Sequence, residues 1–331
     1  MNMQNSSDEM SFHGRKFRRT VGFFASGTIW SLYPLREQQM IEITVRHFQL
    51  KKIAESGQCF RWRELSPDRY GIPAAGGYLT AYQPNEGTLQ LDCTRKAYDT
   101  YWCNYLGLRD DYDLFFEAAV EESGTYLYKA AVAADGVRIL TQDLWETMVS
   151  FLVSQNNNLP RITKTIARMC ECLGRPQRHA DGTLYYAFPE PEALLDCSVL
   201  RKLGLGYRDK YIASLASDVQ SQRIDLKALR SMTTSDVCSY LKNISGIGEK
   251  VANCIMLFGL HRLEAFPVDV WIRRIINEQY GGCFPLERFE GFAGVIQQFI
   301  FYYAQHQKTE DSLKKTLSSG EKAGKTIEFS A

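Results

Sequence analysis

The pattern of hydrophobic residues changes once along this 331-residue chain, and that change constrains the fold more than any other feature. Between residues 41 and 137, segments such as IEITVRHFQL, QCFRWREL, GYLTAYQ and GTLQLDCT are alternating or rich in aromatic and β-branched residues, as strands are. From residue 138 onward, apolar residues recur every three or four positions, as on one face of a helix. The sequence therefore predicts an α+β fold, with an antiparallel sheet domain followed by a helical domain.

Start and stop signals place the helices of the second part. Asp143 followed by Glu146 predicts a capping box at the start of one helix. Pro160 suits the first turn of the next helix, and Gly174 lies past its end. Helical spacing predicts further helices at 209–222, 234–243, 249–260, 269–280 and 287–305, and an earlier one in YDLFFEAAVEE. The predicted helical domain is 138–306.

The two ends of the chain lack such periodicity. Residues 1–40 place a basic group before an interrupted apolar stretch, so a disordered extension is the favoured interpretation and a cleaved signal the alternative. Met40 begins the first strand-like segment, so a further alternative is that translation starts at Met40 and that Met1 is placed too far upstream. Residues 307–331 are polar and lysine-rich, which predicts a disordered tail.

Composition limits the classes of function. The content of 45% hydrophobic and 23% charged residues is that of a globular protein, and no apolar run approaches the length of a membrane span. A net charge of +1 means that any binding to nucleic acid must depend on local patches. The nine cysteines, an odd number without a Cys-x-x-Cys pair, indicate reduced thiols of an intracellular protein. With only five histidines, we expect neither a metal nor another cofactor.

The segment LKNISGIGEKVANC carries the first signs of chemistry. Gly246 and Gly248 predict a tight turn between two helices, and the amides at the start of the second helix would suit an anion such as a DNA phosphate. A hairpin that only packs is the alternative. Lys250 and Cys254 are four residues apart and therefore share one face of that helix. The lysine is either a surface charge or a nucleophile.

A second segment, FPVDVWIRRII, follows shortly after. Pro267 restricts the chain before the next helix, and Asp269 is placed to cap it. The same carboxylate could also stabilise positive charge near Lys250. The combination of both segments is far more specific than either alone.

Together, GIGEKVANC and PVDV resemble the helix-hairpin-helix DNA glycosylase superfamily. SGQCFRWRE, SFLVSQNNNLPRI, LRKLGLGYRDKY and FAGVIQQFIF are similar to its 8-oxoguanine DNA glycosylase family, over residues 41 to 305. The resemblance implies a twisted antiparallel sheet domain in front of two mostly α-helical subdomains. It also implies a monomeric glycosylase with lyase activity that takes 8-oxoguanine out of duplex DNA, where the reacting sugar carbon is otherwise unreachable.

The resemblance assigns the catalytic roles. Lys250 would attack C1′ of the sugar and displace the base, leaving a Schiff base that eliminates the 3′ phosphate. Asp269 would stabilise the positively charged transition state. The Gly57 carbonyl would accept a hydrogen bond from N7 of the lesion, where guanine has an acceptor instead. Gln297 would bind the Watson–Crick edge of the base, with Phe301 and Cys254 on its two faces.

The resemblance also assigns contacts with DNA. Asn156 would fill the gap left by the base, and Tyr207 would act as a wedge against neighbouring base pairs. Arg161 and Arg208 would hold the orphaned cytosine. Pro267 would line the base site, and Gly246 with Gly248 would contact the backbone. Ordinary structural roles remain the alternatives, since NNN terminates helices well and arginines are usually solvated.

Two other functions remain open. An alkylated-base glycosylase of the same superfamily would not need Lys250, and a non-catalytic damage-binding protein would need neither Lys250 nor Asp269. Trp271 departs from the histidine often found there in the family, which places a phosphate contact in doubt. The intracellular site of action would be the cytoplasm or nucleoid in a bacterium and the nucleus in a eukaryote.

Overall fold

A computed structural model describes residues 40–307 of the chain. The extension predicted at 1–40 and the tail predicted at 307–331 lie outside these residues, apart from Met40 and Gln307. Met40 is the first residue of a strand, and Gln307 is helical. No helix among residues 40–307 is both long and apolar enough to cross a membrane.

The predicted antiparallel sheet is confirmed. Its five strands lie in the order β1-β5-β4-β3-β2. Every neighbouring pair is antiparallel. Gly87, with φ of +86°, lies in the turn between β4 and β5. The strands are β1 (Met40–Thr44), β2 (Arg63–Ser66), β3 (Arg69–Ala74), β4 (Gly77–Asn85) and β5 (Thr88–Asp92).

Two of the predicted strands are shorter than the sequence segments that predict them. In IEITVRHFQL the strand ends at Thr44, because His47 adopts a φ of +50° and a short helix begins at Leu50. In QCFRWREL only the last residues join the sheet. Residues 58–62 are all buried, which a strand exposed on one face cannot achieve because successive side chains point to opposite sides.

The helices account for most of the other residues between 40 and 307. The first part contains α1 (Leu50–Glu55), α2 (Arg95–Ala97), α3 (Cys103–Tyr105), α4 (Tyr112–Val120) and α5 (Tyr126–Ala134), with a π-helical turn between α2 and α3. The second part contains α6 (Leu144–Ser154), α7 (Leu159–Leu173), α8 (Cys197–Lys202), α9 (Arg208–Gln220), α10 (Leu226–Ser231), α11 (Thr234–Lys242), α12 (Glu249–Gly259) and α13 (Val270–Tyr280). A last helix, α14, covers 293–307. A small hairpin, β6 (Pro176–Arg178) with β7 (Leu184–Tyr186), follows α7.

The predicted caps are present. Asp143 accepts a hydrogen bond from the amide of Glu146 at 2.9 Å, and Gly174 follows the end of α7. The helix predicted at 287–305 begins later, at residue 293. Residues 286–289 form a 3-10 turn, and Gly291 has a φ of +84°, which interrupts a right-handed helix.

Buried hydrophobic residues form two clusters, one on the sheet and one among the helices. Polar contacts join the two parts. Arg138 donates to the carbonyls of Arg46, His47 and Gly107 at 2.8, 2.9 and 2.8 Å. Arg61, just before β2, forms a 2.7 Å ion pair with Glu146 of α6. Burial raises the pKa of Glu146, and the adjacent Arg61 opposes that rise. These contacts fix the segment before β2 against the helices that carry the candidate site.

Candidate active site

The glycine turn lies between α11 and α12, as predicted. Gly246 has a φ of +87°, and a Cβ there would lie 2.6 Å from Cγ of Tyr211. Only glycine satisfies both the conformation and the contact. Gly248 is the N-cap of α12 with extended backbone angles, and a Cβ there would have no atom within 4 Å. The first glycine is therefore required for folding, whereas the second leaves open space at the N-terminus of α12.

Lys250 and Cys254 share one face of α12, as predicted. The Lys250 ammonium lies 5.3 Å from the centroid of the Phe151 ring. Burial raises the pKa of the Cys254 thiol, the Lys250 ammonium opposes that rise, and the Asp269 carboxylate adds to it. The thiol is therefore within electrostatic reach of an amine on its own helix and of the carboxylate that caps α13.

Asp269 caps α13 as predicted. Its Oδ1 accepts from the amides of Trp271 at 2.9 Å and Ile272 at 2.8 Å, which fixes the position of the carboxylate at the helix N-terminus. The segment before it is held by Asn253 of α12, whose Oδ1 accepts from the amide of Phe266 at 3.2 Å. Pro267, which follows, is buried.

Gly57 lies against α14. A methyl group built on Gly57 would be 3.2 Å from Cε1 of Phe301, and the residue has a φ of +76°. The peptide groups on either side are fixed. The Ser56 carbonyl accepts from Gln298 at 2.5 Å, and the Gln58 carbonyl accepts from Gln142 at 2.8 Å. The Gly57 carbonyl thus belongs to a backbone segment that is held on both sides beside the Phe301 ring.

Gln297 lies one turn before Phe301 and is 4% exposed. Its Oε1 is buried and has no hydrogen-bond partner. A buried amide oxygen without a partner is costly unless a ligand supplies one. Phe151 connects this part of the site with Lys250, because it also contacts Phe60, three residues after Gly57, with ring centroids 5.8 Å apart.

The loop between α6 and α7 contains Asn156, which is exposed and has a φ of +45°. Its Nδ2 donates to the hydroxyl of Tyr207 at 3.2 Å, and Tyr207 is 49% exposed. Arg161 is exposed in the first turn of α7. Arg208 is buried, and its guanidinium donates to the carbonyls of Gln155 and Asn156. Asn156 and Tyr207 thus lie together, whereas Arg208 contacts the loop backbone.

Several residues that position the site were not found from the sequence. Gln298 fixes the Gly57 segment, Asn253 fixes the chain before Asp269, and Gln155 donates to the Gly246 carbonyl at 2.8 Å. The only signal in the sequence was a polar residue inside an apolar helical run, as in VIQQFIF. Within residues 40–307, no group of three or more His, Cys, Asp or Glu side chains is placed to hold a metal ion.

Family models match most of the described chain. The model for the N-terminal domain of 8-oxoguanine DNA glycosylase matches residues 40–148. The model for the HhH-GPD superfamily of base excision DNA repair proteins matches residues 149–282. The boundary between the matches falls inside α6, after the sheet and the first five helices.

Individual relatives agree with the family matches. An N-glycosylase/DNA lyase of Saccharomyces cerevisiae is 36% identical over 164 residues, which cover 46% of this chain and 44% of that protein. The match thus spans less than half of the yeast relative. The solved structure of MBOgg1 in complex with a low-affinity DNA ligand is 35% identical, with a TM-score of 0.76 over 81% of this chain and 96% of that chain.

A second solved structure is that of an 8-oxoguanine glycosylase/lyase of Clostridium acetobutylicum, in complex with duplex DNA containing cytosine opposite 8-oxoguanine. It is 29% identical, with a TM-score of 0.74 over 80% of this chain and 94% of that chain. The α+β fold, the helix-hairpin-helix turn and both family models lead to one conclusion. This chain belongs to the 8-oxoguanine DNA glycosylase family of the helix-hairpin-helix DNA glycosylase superfamily.

Proposed function

We propose that this protein is a bifunctional DNA glycosylase and apurinic/apyrimidinic-site lyase that excises 8-oxoguanine from duplex DNA. The observation that carries the proposal concerns Cys254, which shares the helix after the glycine turn with Lys250. Its thiol is within electrostatic reach of both the Lys250 ammonium and the Asp269 carboxylate that caps α13. A lysine beside a capping carboxylate can act as a nucleophile toward a sugar carbon and have the developing positive charge stabilised.

The reaction begins when Nζ of Lys250, unprotonated, attacks C1′ of the extruded nucleotide. The bond between C1′ and the base nitrogen breaks, and its electron pair leaves with the base, which takes up a proton. The sugar ring opens to an iminium ion on Lys250. Loss of a proton from C2′ then expels the 3′ phosphate, which cuts the strand. Asp269 stabilises the cationic sugar by its negative charge, and the amides of α13 hold its carboxylate in place.

Selection of the base depends on hydrogen-bond complementarity. In 8-oxoguanine N7 carries a hydrogen, whereas in guanine N7 is an acceptor. The Gly57 carbonyl accepts from N7–H of the lesion and would face a second acceptor in guanine. Two opposed acceptors in a buried site cost about 1–3 kcal/mol, which corresponds to a preference of about 5-fold to 150-fold. Gln297 supplies a buried amide for the opposite edge of the base, and Phe301 supplies a ring for one face.

Duplex DNA would contact the glycine turn and the loop after α6. The amides around Gly248 bind a backbone phosphate at the open N-terminus of α12. Asn156 fills the gap in the duplex, and Tyr207 is a wedge against the neighbouring base pairs. Arg161 and Arg208 hold the orphaned cytosine. The protein acts as a monomer inside the cell, in the cytoplasm or nucleoid of a bacterium or the nucleus of a eukaryote.

Borohydride trapping tests the proposal. Reduction of the iminium ion joins the enzyme covalently to an 8-oxoguanine duplex, which shifts its mobility on a denaturing gel. Wild type and a Lys129→Gln variant, altered at an exposed lysine of α5, should be trapped equally. Lys250→Gln should not be trapped. Trapping that survives Lys250→Gln would overturn the proposed nucleophile.

A second candidate is an alkylated-base glycosylase. A 3-methyladenine DNA glycosylase of Archaeoglobus fulgidus has a TM-score of 0.65 and 20% identity, which supports a similar fold alone. Single-turnover excision on matched duplexes with 8-oxoguanine, guanine or 3-methyladenine distinguishes the candidates. Release of 3-methyladenine faster than 8-oxoguanine would favour the second. A non-catalytic damage-binding protein would release none of them.

A further inference from the structure

The loop that carries Asn156 and the glycine turn are joined by one side chain to which neither the family resemblance nor the proposed mechanism assigns a role. Gln155 is the C-cap of α6, and its Nε2 donates to the Gly246 carbonyl at 2.8 Å. The two groups lie 91 residues apart in the sequence. The hydrogen bond therefore connects the expected phosphate-binding turn with the residue directly before the gap-filling asparagine.

Both ends of this hydrogen bond are held in place. Gly246 cannot shift its backbone freely, because its Cα is packed against Tyr211 of α9 and its φ is +87°. At the other end, the Gln155 carbonyl accepts from Nε of Arg208 at 3.0 Å, and the next carbonyl, that of Asn156, accepts from Nη2 of the same guanidinium at 3.2 Å.

The contacts form a closed circuit around the loop. Tyr211 lies against Tyr207 in an edge-to-face arrangement with ring centroids 6.2 Å apart. The Tyr207 hydroxyl accepts from the side chain of Asn156. Starting from Gly246, the circuit thus runs through Gln155, Asn156, Tyr207 and Tyr211, and returns to Gly246. A closed set of packed and hydrogen-bonded contacts resists changes in any one of its distances.

We propose that Gln155 is a positioning residue that holds Asn156 at a fixed distance from the glycine turn, so that DNA gripped at the turn has Asn156 already placed at the extruded nucleotide. The inference rests on the proposed function. Asn156 has a φ of +45°, a conformation that non-glycine residues adopt only when the surroundings impose it. The hydrogen bonds on both sides of Asn156 supply that constraint.

Gln155 couples the position of the loop to that of the glycine turn and does not itself bind DNA. Without the Gln155 amide, the turn still binds a phosphate and α12 still carries Lys250. The loop, however, has to be ordered at the moment of extrusion, so the cost appears only in states in which the nucleotide has left the stack. Loss of this hydrogen bond should therefore weaken binding to DNA in which a base is extruded or missing, and slow excision. Binding to undamaged duplex should not change.

The test compares Gln155→Met, which keeps the length of the side chain and removes the donor, with Gln220→Met at an exposed glutamine at the end of α9. Two affinities are measured by fluorescence anisotropy, for a duplex with a tetrahydrofuran abasic analogue and for the same duplex undamaged. Gln155→Met should lower the ratio of these affinities about tenfold, as expected for one lost hydrogen bond, and Gln220→Met should leave it unchanged.

A double-mutant cycle separates positioning from a merely structural role. If Gln155 acts through Asn156, Gln155→Met should have no further effect on the affinity ratio in an Asn156→Ala background. Thermal unfolding of each variant verifies that the compared proteins are folded. Additive effects, or a Gln155→Met ratio equal to that of wild type, would overturn the inference.

Excision assays keep this outcome apart from failure of the proposed function. If wild type excises 8-oxoguanine and Gln155→Met excises it at the same rate with an unchanged affinity ratio, only the coupling role fails. If wild type releases no 8-oxoguanine, the proposed function fails. The affinity ratio for the abasic analogue still reports whether Gln155 positions the loop.

Discussion

The two glycines of the turn should respond to the same substitution in opposite ways. Gly246→Ala places a Cβ 2.6 Å from Cγ and 2.8 Å from Cδ2 of Tyr211, at the rigid base of that side chain. It also forces alanine to a φ of +87°. The backbone strain costs about 1–2 kcal/mol and the overpacking about 1–3 kcal/mol, so we expect a loss of about 3 kcal/mol in the free energy of unfolding.

Gly248→Ala should not destabilise the protein. Its φ of −94° and ψ of −177° suit any residue, and the added Cβ meets no atom within 4 Å. Alanine has less conformational freedom in the unfolded chain, which favours the folded state by about 0.5 kcal/mol, but it is a poorer N-cap than glycine by a similar amount, so the two effects offset each other. The open space that accepts the methyl group is, however, the space through which a phosphate would approach the amides of α12. Affinity for DNA should therefore fall.

Urea unfolding and fluorescence anisotropy with an undamaged duplex measure the two effects in parallel. Gly246→Ala should shift the unfolding midpoint to lower urea, and Gly248→Ala should keep the midpoint while weakening binding at low salt. If Gly248→Ala bound duplex as tightly as wild type, the open face of the turn would not be the phosphate site. If Gly246→Ala unfolded at the wild-type midpoint, the conflict with Tyr211 would have been overestimated.

Three further predictions concern the base site. Gln297→Leu removes the buried Oε1 that has no partner, so thermal unfolding should show unchanged or higher stability, by about 1 kcal/mol, while single-turnover excision of 8-oxoguanine falls; a clear destabilisation would contradict this. Gly57→Ala, with a Cβ 3.2 Å from Phe301 and a φ of +76°, should displace the carbonyl and reduce excision more than binding to undamaged duplex. Burial raises the pKa of the Cys254 thiol above its ordinary value of 9.0, so the thiol loses its proton at lower pH in the unfolded chain than in the folded protein. Wild type should therefore lose stability relative to Cys254→Ala as the pH rises above 9.0. If the difference in unfolding free energy between the two proteins stayed constant from about pH 7 to about pH 10, the prediction would be wrong.

The local elements of the fold could be predicted from short stretches of sequence. The caps at Asp143 and Asp269 need only a carboxylate placed near free amides, and that geometry is complete within four residues. Lys250 and Cys254 share a face because the helical repeat brings positions i and i+4 together. The strand that ends at Thr44 and the helix that begins at residue 293 differ from the prediction, because the left-handed conformations of His47 and Gly291 depend on surroundings that periodicity does not contain.

The sequence by itself determined the order of sheet and helices, the glycine turn, and which lysine and thiol share a helix face, since these follow from periodicity, helix geometry and short motifs. Only the tertiary structure decided which backbone groups are held and which are open. Gly57 meets Phe301 across more than half of the chain, and the Gly246 carbonyl meets Gln155 from another helix. Such contacts depend on the packing of distant elements at distances of a few ångströms, and no local pattern specifies them.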